Sequence, residues 1–339
     1  MAACRYVLAS HSYISKFVVP IQNKTCLTSS RYQPYTVLSN HQEINKKKYA
    51  KQDLFCSVRR GTVNDERKKY NMQDSVLVIT GGSKGIGSQI VRLSLEEGVK
   101  QVVNLDDDSR SGLALQAEMN MKYGIPNAVK FIKCDLNDEG KLAESFESIM
   151  EDKDNTYLLV NNAAMLYEHV MEKKHVDFNV AAIVAGSLAA LELMRKDNQG
   201  RGGAIINISS VAALCPLPLT PVYNATKSAV LTFSIGLGNR DLYNKTGVRV
   251  MTLCFAPSDT DIRAIGSPDL DMANNLAISL RNWPGQPPVC PEIAARAVID
   301  AFKQGETGST WLSSPNKPAE DITHVAMRAY SFITQRSPL

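Results

Sequence analysis

Two short stretches carry residues whose types and spacing can do chemistry. In PVYNATKSAVLTF (221–233), Tyr223 and Lys227 stand four residues apart at the start of a helix-like segment. That spacing sets both side chains on one helical face, about 5–6 Å apart at Cβ. A phenol with a pKa near 10 is a poor base at neutral pH. An ammonium beside it favours the tyrosinate, so such a pair can move a proton. The same spacing also suits an ordinary amphipathic helix with a packing tyrosine and a solvated lysine. In TGGSKGIG (80–87), Gly81, Gly85 and Gly87 alternate with Ser83, Lys84 and Ile86. Glycines here let the chain turn tightly and approach a pyrophosphate, and a following helix N-terminus offers unpaired N–H groups.

Nineteen residues beyond Gly87 stands Asp106. An acid about 20 residues on bonds the ribose hydroxyls of a dinucleotide. A carboxylate there repels a 2′-phosphate and favours NAD over NADP. Lys84 pulls the other way, but Asp106 touches the discriminating group and carries more weight. Asp107 and Asp108 add negative charge, or simply open the loop to the next helix.

These residues need elements to hold them. From residue 75 onward, short apolar runs alternate with helix-like segments: VLVIT (76–80), QVVNLD (101–106), VKFIKC (129–134), YLLVNN (157–162), GAIINIS (203–209), VRVMTLCF (248–255) and STWLS (309–313). Strands apolar on both faces, alternating with helices, predict an α/β fold with a parallel sheet covered on both sides. Right-handed crossovers make that a single Rossmann-like, doubly wound sheet. The expected division is a basic extension over 1–72, a catalytic domain over 73–315 and a tail over 316–339 with a helix-like segment at 320–335.

The extension differs from the body. The whole chain of 339 residues carries +4. Residues 1–70 hold 13 Lys/Arg against four Asp/Glu, leaving −5 for the remainder. The body therefore offers no basic surface for nucleic acid. The extension is basic, Ser-rich and poor in acids, as transit peptides are; a disordered tail or an unused upstream start before Met72 fits as well. The protein is accordingly expected in the cytoplasm, or in mitochondria if the extension targets it. No apolar run reaches the ~18 residues of a membrane span, and 180–191 reads as a buried helix. The seven cysteines are scattered without C-x-x-C, which argues for free thiols and against disulfides or zinc. The five histidines form no H-E-x-x-H, so no metal site is expected. The N-x-S/T sequons at Asn23, Asn207, Asn224 and Asn244 read as incidental.

In this order, the motifs resemble the short-chain dehydrogenases/reductases over about 76–312. TGGSKGIG looks like the family's cofactor loop, and Asp135-Leu136 like the acid after strand three that contacts adenine. NNAA (161–164), with Asn162 and Ala163, resembles NNAG. Asn179 falls at the catalytic Asn, and NISS (207–210) places Ser210 thirteen residues before Tyr223. The run 205–234 is most similar to 15-hydroxyprostaglandin dehydrogenases and insect-type alcohol dehydrogenases. Three departures stand out. Ala164 replaces glycine, Pro257-Ser258 replaces Pro-Gly ahead of Thr260, the expected carboxamide contact, and Thr220 replaces the glutamine of the prostaglandin enzymes.

The resemblance implies an oxidoreductase in which NAD takes hydride from a secondary alcohol. Tyr223 would be the general base, with Lys227 lowering its pKa and bonding the nicotinamide ribose. Ser210 would bond the substrate oxygen, and Asn179 would hold a relay water. A lipophilic alcohol or ketone is expected against Leu214, Leu217 and Thr220, with further walls at 165–167 and 258–288 and a lid at 265–289. The alternatives are an NADPH-dependent carbonyl reductase and a catalytically silent binding protein of the same fold. A homodimer or homotetramer is expected through small and apolar faces at Ala185, Ala189, Ala229 and Phe233.

Overall fold

Seven apolar runs become adjacent parallel strands because a sheet wound on both sides buries both of their faces. The computed structural model describes residues 70–166, 173–217, 220–258 and 288–334. The extension up to residue 69, Tyr167, Leu219, Thr260 and the segment 259–287, with most of the expected lid, lie outside the described residues. The strands are β1 (Val76–Thr80), β2 (Gln101–Asp106), β3 (Val129–Lys133), β4 (Tyr157–Asn161), β5 (Gly203–Ser210), β6 (Val248–Phe255) and β7 (Thr310–Ser313). Their bounds fall within one residue of the apolar runs.

The sheet order is β3-β2-β1-β4-β5-β6-β7-β8, parallel except at its last edge. There β8 (Glu320–Asp321) pairs antiparallel with Trp311 and Leu312. The sequence placed these two residues in a helix-like segment. A strand of two residues has no periodicity to read. The helices, in chain order, are α1 (Gly85–Glu96), α2 (Ser109–Tyr123), α3 (Glu139–Ile149), α4 (Lys173–Val176), α5 (Ala182–Met194), α6 (Pro221–Leu237), α7 (Arg240–Thr246), α8 (Pro291–Gln304) and α9 (Thr323–Thr334).

Each face of the sheet has its own core. On one, Ile90 and Leu95 of α1 meet Val298 and Phe302 of α8 over Leu77, Ile206 and Leu253. On the other, Leu142 and Phe146 of α3 and Leu191 and Met194 of α5 cover Val78, Leu159 and Val250. Each such fully buried side chain is worth about 1.5–3 kcal/mol relative to exposure. The chain is already packed at Tyr70, whose N–H donates to the Lys303 carbonyl at 2.8 Å, and Met72 is a core residue. The buried Arg249 guanidinium stacks 3.4 Å from the Tyr70 ring centre and donates to the Phe302 carbonyl at 3.0 Å. Burial pulls its pKa down to about 10.

The stretch Asp177–Met194 is long and apolar enough, by length and composition alone, to cross a membrane. The sequence reading saw only a shorter run there. Its inner face, Ala182, Ile183, Gly186, Ala190, Leu191 and Met194, is buried against the sheet and α3, as in a core helix.

Candidate active site

The strand order reverses between β1 and β4, so the connections leaving their C-terminal ends part to opposite sides and leave a crevice. The glycine loop follows β1 into it. Gly81 adopts φ +66, which only glycine takes cheaply, and a Cβ on Gly87 would lie 2.0 Å from the Gly81 carbonyl oxygen. The loop is pinned from β2 and from the turn that follows β4. Gly82 N–H donates to Asn104 Oδ1 at 2.9 Å and Ser83 N–H to Asp106 Oδ2 at 3.0 Å. Asn162 Nδ2 donates to the carbonyls of Gly81 at 2.9 Å and Thr80 at 3.1 Å. Ala163 N–H donates to Thr80 Oγ1 at 3.2 Å.

Beyond the loop, Asp106 Oδ1 accepts the Asp108 N–H at 3.1 Å. Burial, with the neighbouring Asp106, raises the pKa of Asp107. The Lys84 ammonium lies 2.5 Å from Asp108 Oδ2 and holds that carboxyl down to about 2.

One cavity of about 470 Å³ joins this loop to the proton-transfer residues. Gly81, Ser83, Lys84, Gly85, Ile86, Gly87, Asp106, Asn162 and Ala163 line one end, and Ser210, Leu217, Thr220, Tyr223, Lys227 and Pro257 the other. Its size lies in the range of small-molecule sites. Lys227 is 1% exposed, its Nζ donates to the Ile208 carbonyl at 3.0 Å, and it sits 5.6 Å from the Tyr223 ring centre. Ser210, at the end of β5, accepts from Ala212 N–H at 3.2 Å and hydrogen-bonds Tyr223.

Burial dominates the electrostatics of the Tyr223–Lys227 pair. Tyr223 keeps some solvent contact on the cavity wall, yet the protein around it desolvates a phenolate and pushes its pKa up to about 12, against the bond from Ser210. Burial pulls Lys227 down to about 8 and pushes its neighbour Cys254 up to about 12. In the protein alone desolvation outweighs the Ser210 bond at Tyr223, and the Lys227 ammonium faces the Ile208 carbonyl.

Asn179 stands back from the cavity. It lies in a π-turn, Asp177–Ala181, is wholly buried, and is not on the cavity wall. Its Oδ1 accepts from Met165 N–H at 2.8 Å and its Nδ2 donates to the Met165 carbonyl at 2.8 Å. The amide grips a wall residue. Asp135 and Leu136 also fall off the cavity: Asp135 is exposed and accepts from Asn137, while Leu136 is in the core. Leu214 is 38% exposed and outside the lining, because the turn after Ala213 carries it outward. Thr220 reaches the cavity, but its hydroxyl donates to Asn224 Oδ1 at 3.0 Å. The sequon asparagines 207 and 224 are buried, which fits their reading as incidental.

Sequence reasoning missed Phe178, Val211 and Phe255, which line the apolar end. Apolar residues at strand and helix ends look like core until the fold places them. Asn104 was legible in principle, as a polar residue inside an apolar strand. Beneath the site, Asn161 Nδ2 donates to Asn207 Oδ1 at 2.8 Å and Asn207 Nδ2 to Ser234 Oγ at 2.9 Å, tying β4, β5 and α6.

The cradle at Gly81 and Gly87, which a Cβ would fill, and the acid at the end of β2 fit a nicotinamide dinucleotide. Among the described residues no group of His, Cys, Asp and Glu is placed to hold a metal ion.

Residues 75–270 match the family described as short chain dehydrogenase. The chain belongs to that family of oxidoreductases. It is 31% identical over 184 residues to 15-hydroxyprostaglandin dehydrogenase [NAD(+)] of Rattus norvegicus, covering 54% of this chain and 68% of that protein. It is 28% identical over 242 residues to alcohol dehydrogenase 1 of Ceratitis capitata, covering 70% of this chain and 91% of that one. A solved short chain dehydrogenase/reductase family protein superposes with TM-score 0.57 at 26% identity, covering 72% of this chain and 97% of the other. The crystal structure of gox2181, at 20% identity, shares the fold with TM-score 0.60, covering 70% and 93%.

Proposed function

We propose that the protein is an NAD-dependent dehydrogenase of lipophilic secondary alcohols. The observation that carries this reading is the single cavity in which Ser210 and Tyr223 stand at one end and the glycine loop with Asp106 at the other. NAD, held by residues 81–87, Asp106, Asn162 and Lys227, would supply the hydride acceptor. Ser210 would donate a hydrogen bond to the substrate oxygen and stabilise its developing charge. Tyr223 would take the hydroxyl proton in oxidation and return it in reduction. With its pKa near 12 in the protein alone, Tyr223 is ready as an acid at neutral pH and becomes a base as pH rises. Asn179 would act by fixing the Met165 wall.

The apolar walls, Met165, Leu166, Phe178, Leu217 and Phe255, favour a substrate with an aliphatic body. The named activities of the prostaglandin and insect relatives both concern hydroxyl oxidation and support the reaction class. Thr220, with its hydroxyl held by Asn224, leaves prostaglandins as one substrate among several to be compared. The test is NADH formation at pH 8–9 with prostaglandin E2, farnesol and simple secondary alkanols, each with NAD and with NADP. Turnover with NAD on an apolar secondary alcohol is expected. Turnover with NADP alone would favour the carbonyl-reductase alternative, and no turnover with either would favour a silent binding protein.

A further inference from the structure

The charges at the far end of the cavity show how one cofactor would be chosen over its close relative, an inference that rests on the proposed dehydrogenase function. Lys84, Asp106, Asp107 and Asp108 all line that end. From sequence, Lys84 is the residue that would welcome a 2′-phosphate, since it stands in the glycine loop facing the end of β2. The structure gives it another occupation. Its ammonium is in ion-pair contact with Asp108, 2.5 Å from Oδ2, although the lysine side chain is 63% exposed. Asp108 is fixed from both sides. Its Oδ1 accepts the Ser111 N–H at 3.0 Å and caps α2, and its own N–H donates to Asp106 Oδ1. With Lys84 beside it, Asp108 stays ionised across the working pH range.

We propose that Asp108 is a specificity-determining residue that acts through Lys84. By pairing with the loop lysine it withdraws the cation a 2′-phosphate would need, so the pocket presents its acids to that phosphate and accepts the unphosphorylated ribose. Asp106 acts alongside this pair. Both of its oxygens receive backbone N–H groups, from Ser83 and Asp108, which hold it in place at the end of β2. Arg110, the next cation along, is exposed on the first turn of α2 and is not on the cavity wall. The distribution of the pair, and not the presence of the lysine, sets the preference.

The test compares the full-length protein with Asp108→Asn, Lys84→Met and the double variant, by calorimetric titration with NAD and with NADP. Asparagine keeps an acceptor for the Ser111 N–H, so the cap of α2 survives, which a cooperative thermal melt would verify. In Asp108→Asn the ratio of NADP to NAD dissociation constants should fall about five- to tenfold, as one ammonium turns to a partly exposed phosphate. In the double variant that gain should vanish, which a merely structural effect of Asp108→Asn would not produce. Lys84→Met alone should move the ratio by less than about twofold, because the ammonium is already engaged. An unchanged ratio in Asp108→Asn, with NAD still bound, would overturn the inference. So would a loss of NADP affinity in Lys84→Met alone as large as in the Asp108→Asn background. If the wild-type protein bound neither dinucleotide, the proposed function would fall and this inference with it.

Discussion

The two ends of the cavity are built by different means. The loop end is a backbone structure: glycines in positions no side chain fits, amide groups tied to Asn104, Asp106 and Asn162, and an ion pair across the opening. The other end, where the substrate is proposed to sit, is a side-chain structure, with Phe178, Leu217 and Phe255 around the polar pair Ser210 and Tyr223. A backbone cradle is specific to one ligand shape because its donors cannot rotate away. An apolar wall accepts many bodies of similar size, since one methylene is worth only about 1–3 kcal/mol of discrimination. On the proposed function, the comparison teaches where variation would be tolerated: cofactor recognition at the loop would be rigid, and substrate choice at the wall adjustable.

Substitutions can break or sharpen that contrast. The largest effect is expected at the polar pair. Ser210→Ala should lower kcat by about 10²–10³ while dinucleotide affinity, measured by titration, stays within a few-fold. Next is the cradle. Gly87→Ala drives a methyl against the Gly81 carbonyl, and an overpacking cost of about 1–3 kcal/mol should weaken NAD binding by about ten- to a hundredfold. The mirror-image test lies beneath both ends. Asn207→Ala removes one partner each from the buried Asn161, Ser187 and Ser234 and should cost about 1–3 kcal/mol, read as a lower melting midpoint. At the wall, Leu217→Ala should change kcat/KM by about tenfold or less, and by different factors for short and long alcohols. If Leu217→Ala affected all substrates and NAD alike, the division between the two ends would be wrong.

A pH series sharpens the polar pair. Tyr223 is raised to about 12 by burial, so the fraction ionised grows with pH throughout the alkaline range. Oxidation, which needs the phenolate, should accelerate from pH 7 to 9, and reduction, which needs the phenol, should not. Lys227 adds a stability effect of opposite origin. Its folded pKa, about 8, is below its ordinary 10.5, so the folded state sheds a proton first. Below pH 8 both states are protonated and the burial cost is felt in full. Between about 8 and 10.5 the unfolded chain binds the extra proton, so stability linked to this group rises with pH. Chemical denaturation of wild type and Lys227→Met across that window would show the difference in slope.

Much of the cradle was legible in the sequence, because glycine spacing and a strand-ending acid are local patterns tied to local geometry. The parallel strands were legible for the same reason, since a run buried on both faces has few other interpretations. What was hidden depends on distant contacts. Asn179 was found by position, but nothing local says that a π-turn aims its amide at Met165. The outward turn of Leu214 and the burial that raises Tyr223 are set by packing from separate elements. Glu320 and Asp321 pair with β7 through register alone, and their charges gave no sign of a strand.

The measurement closest to the centre of this account separates binding from chemistry. Tyr223→Phe would be titrated with NAD and then mixed, in a single turnover, with a secondary alcohol that the wild-type protein oxidises. The account predicts that the variant binds NAD much as the wild type does and forms NADH at least about a hundredfold more slowly. NADH formation at the wild-type rate would contradict it, and would place the proton acceptor somewhere other than Tyr223.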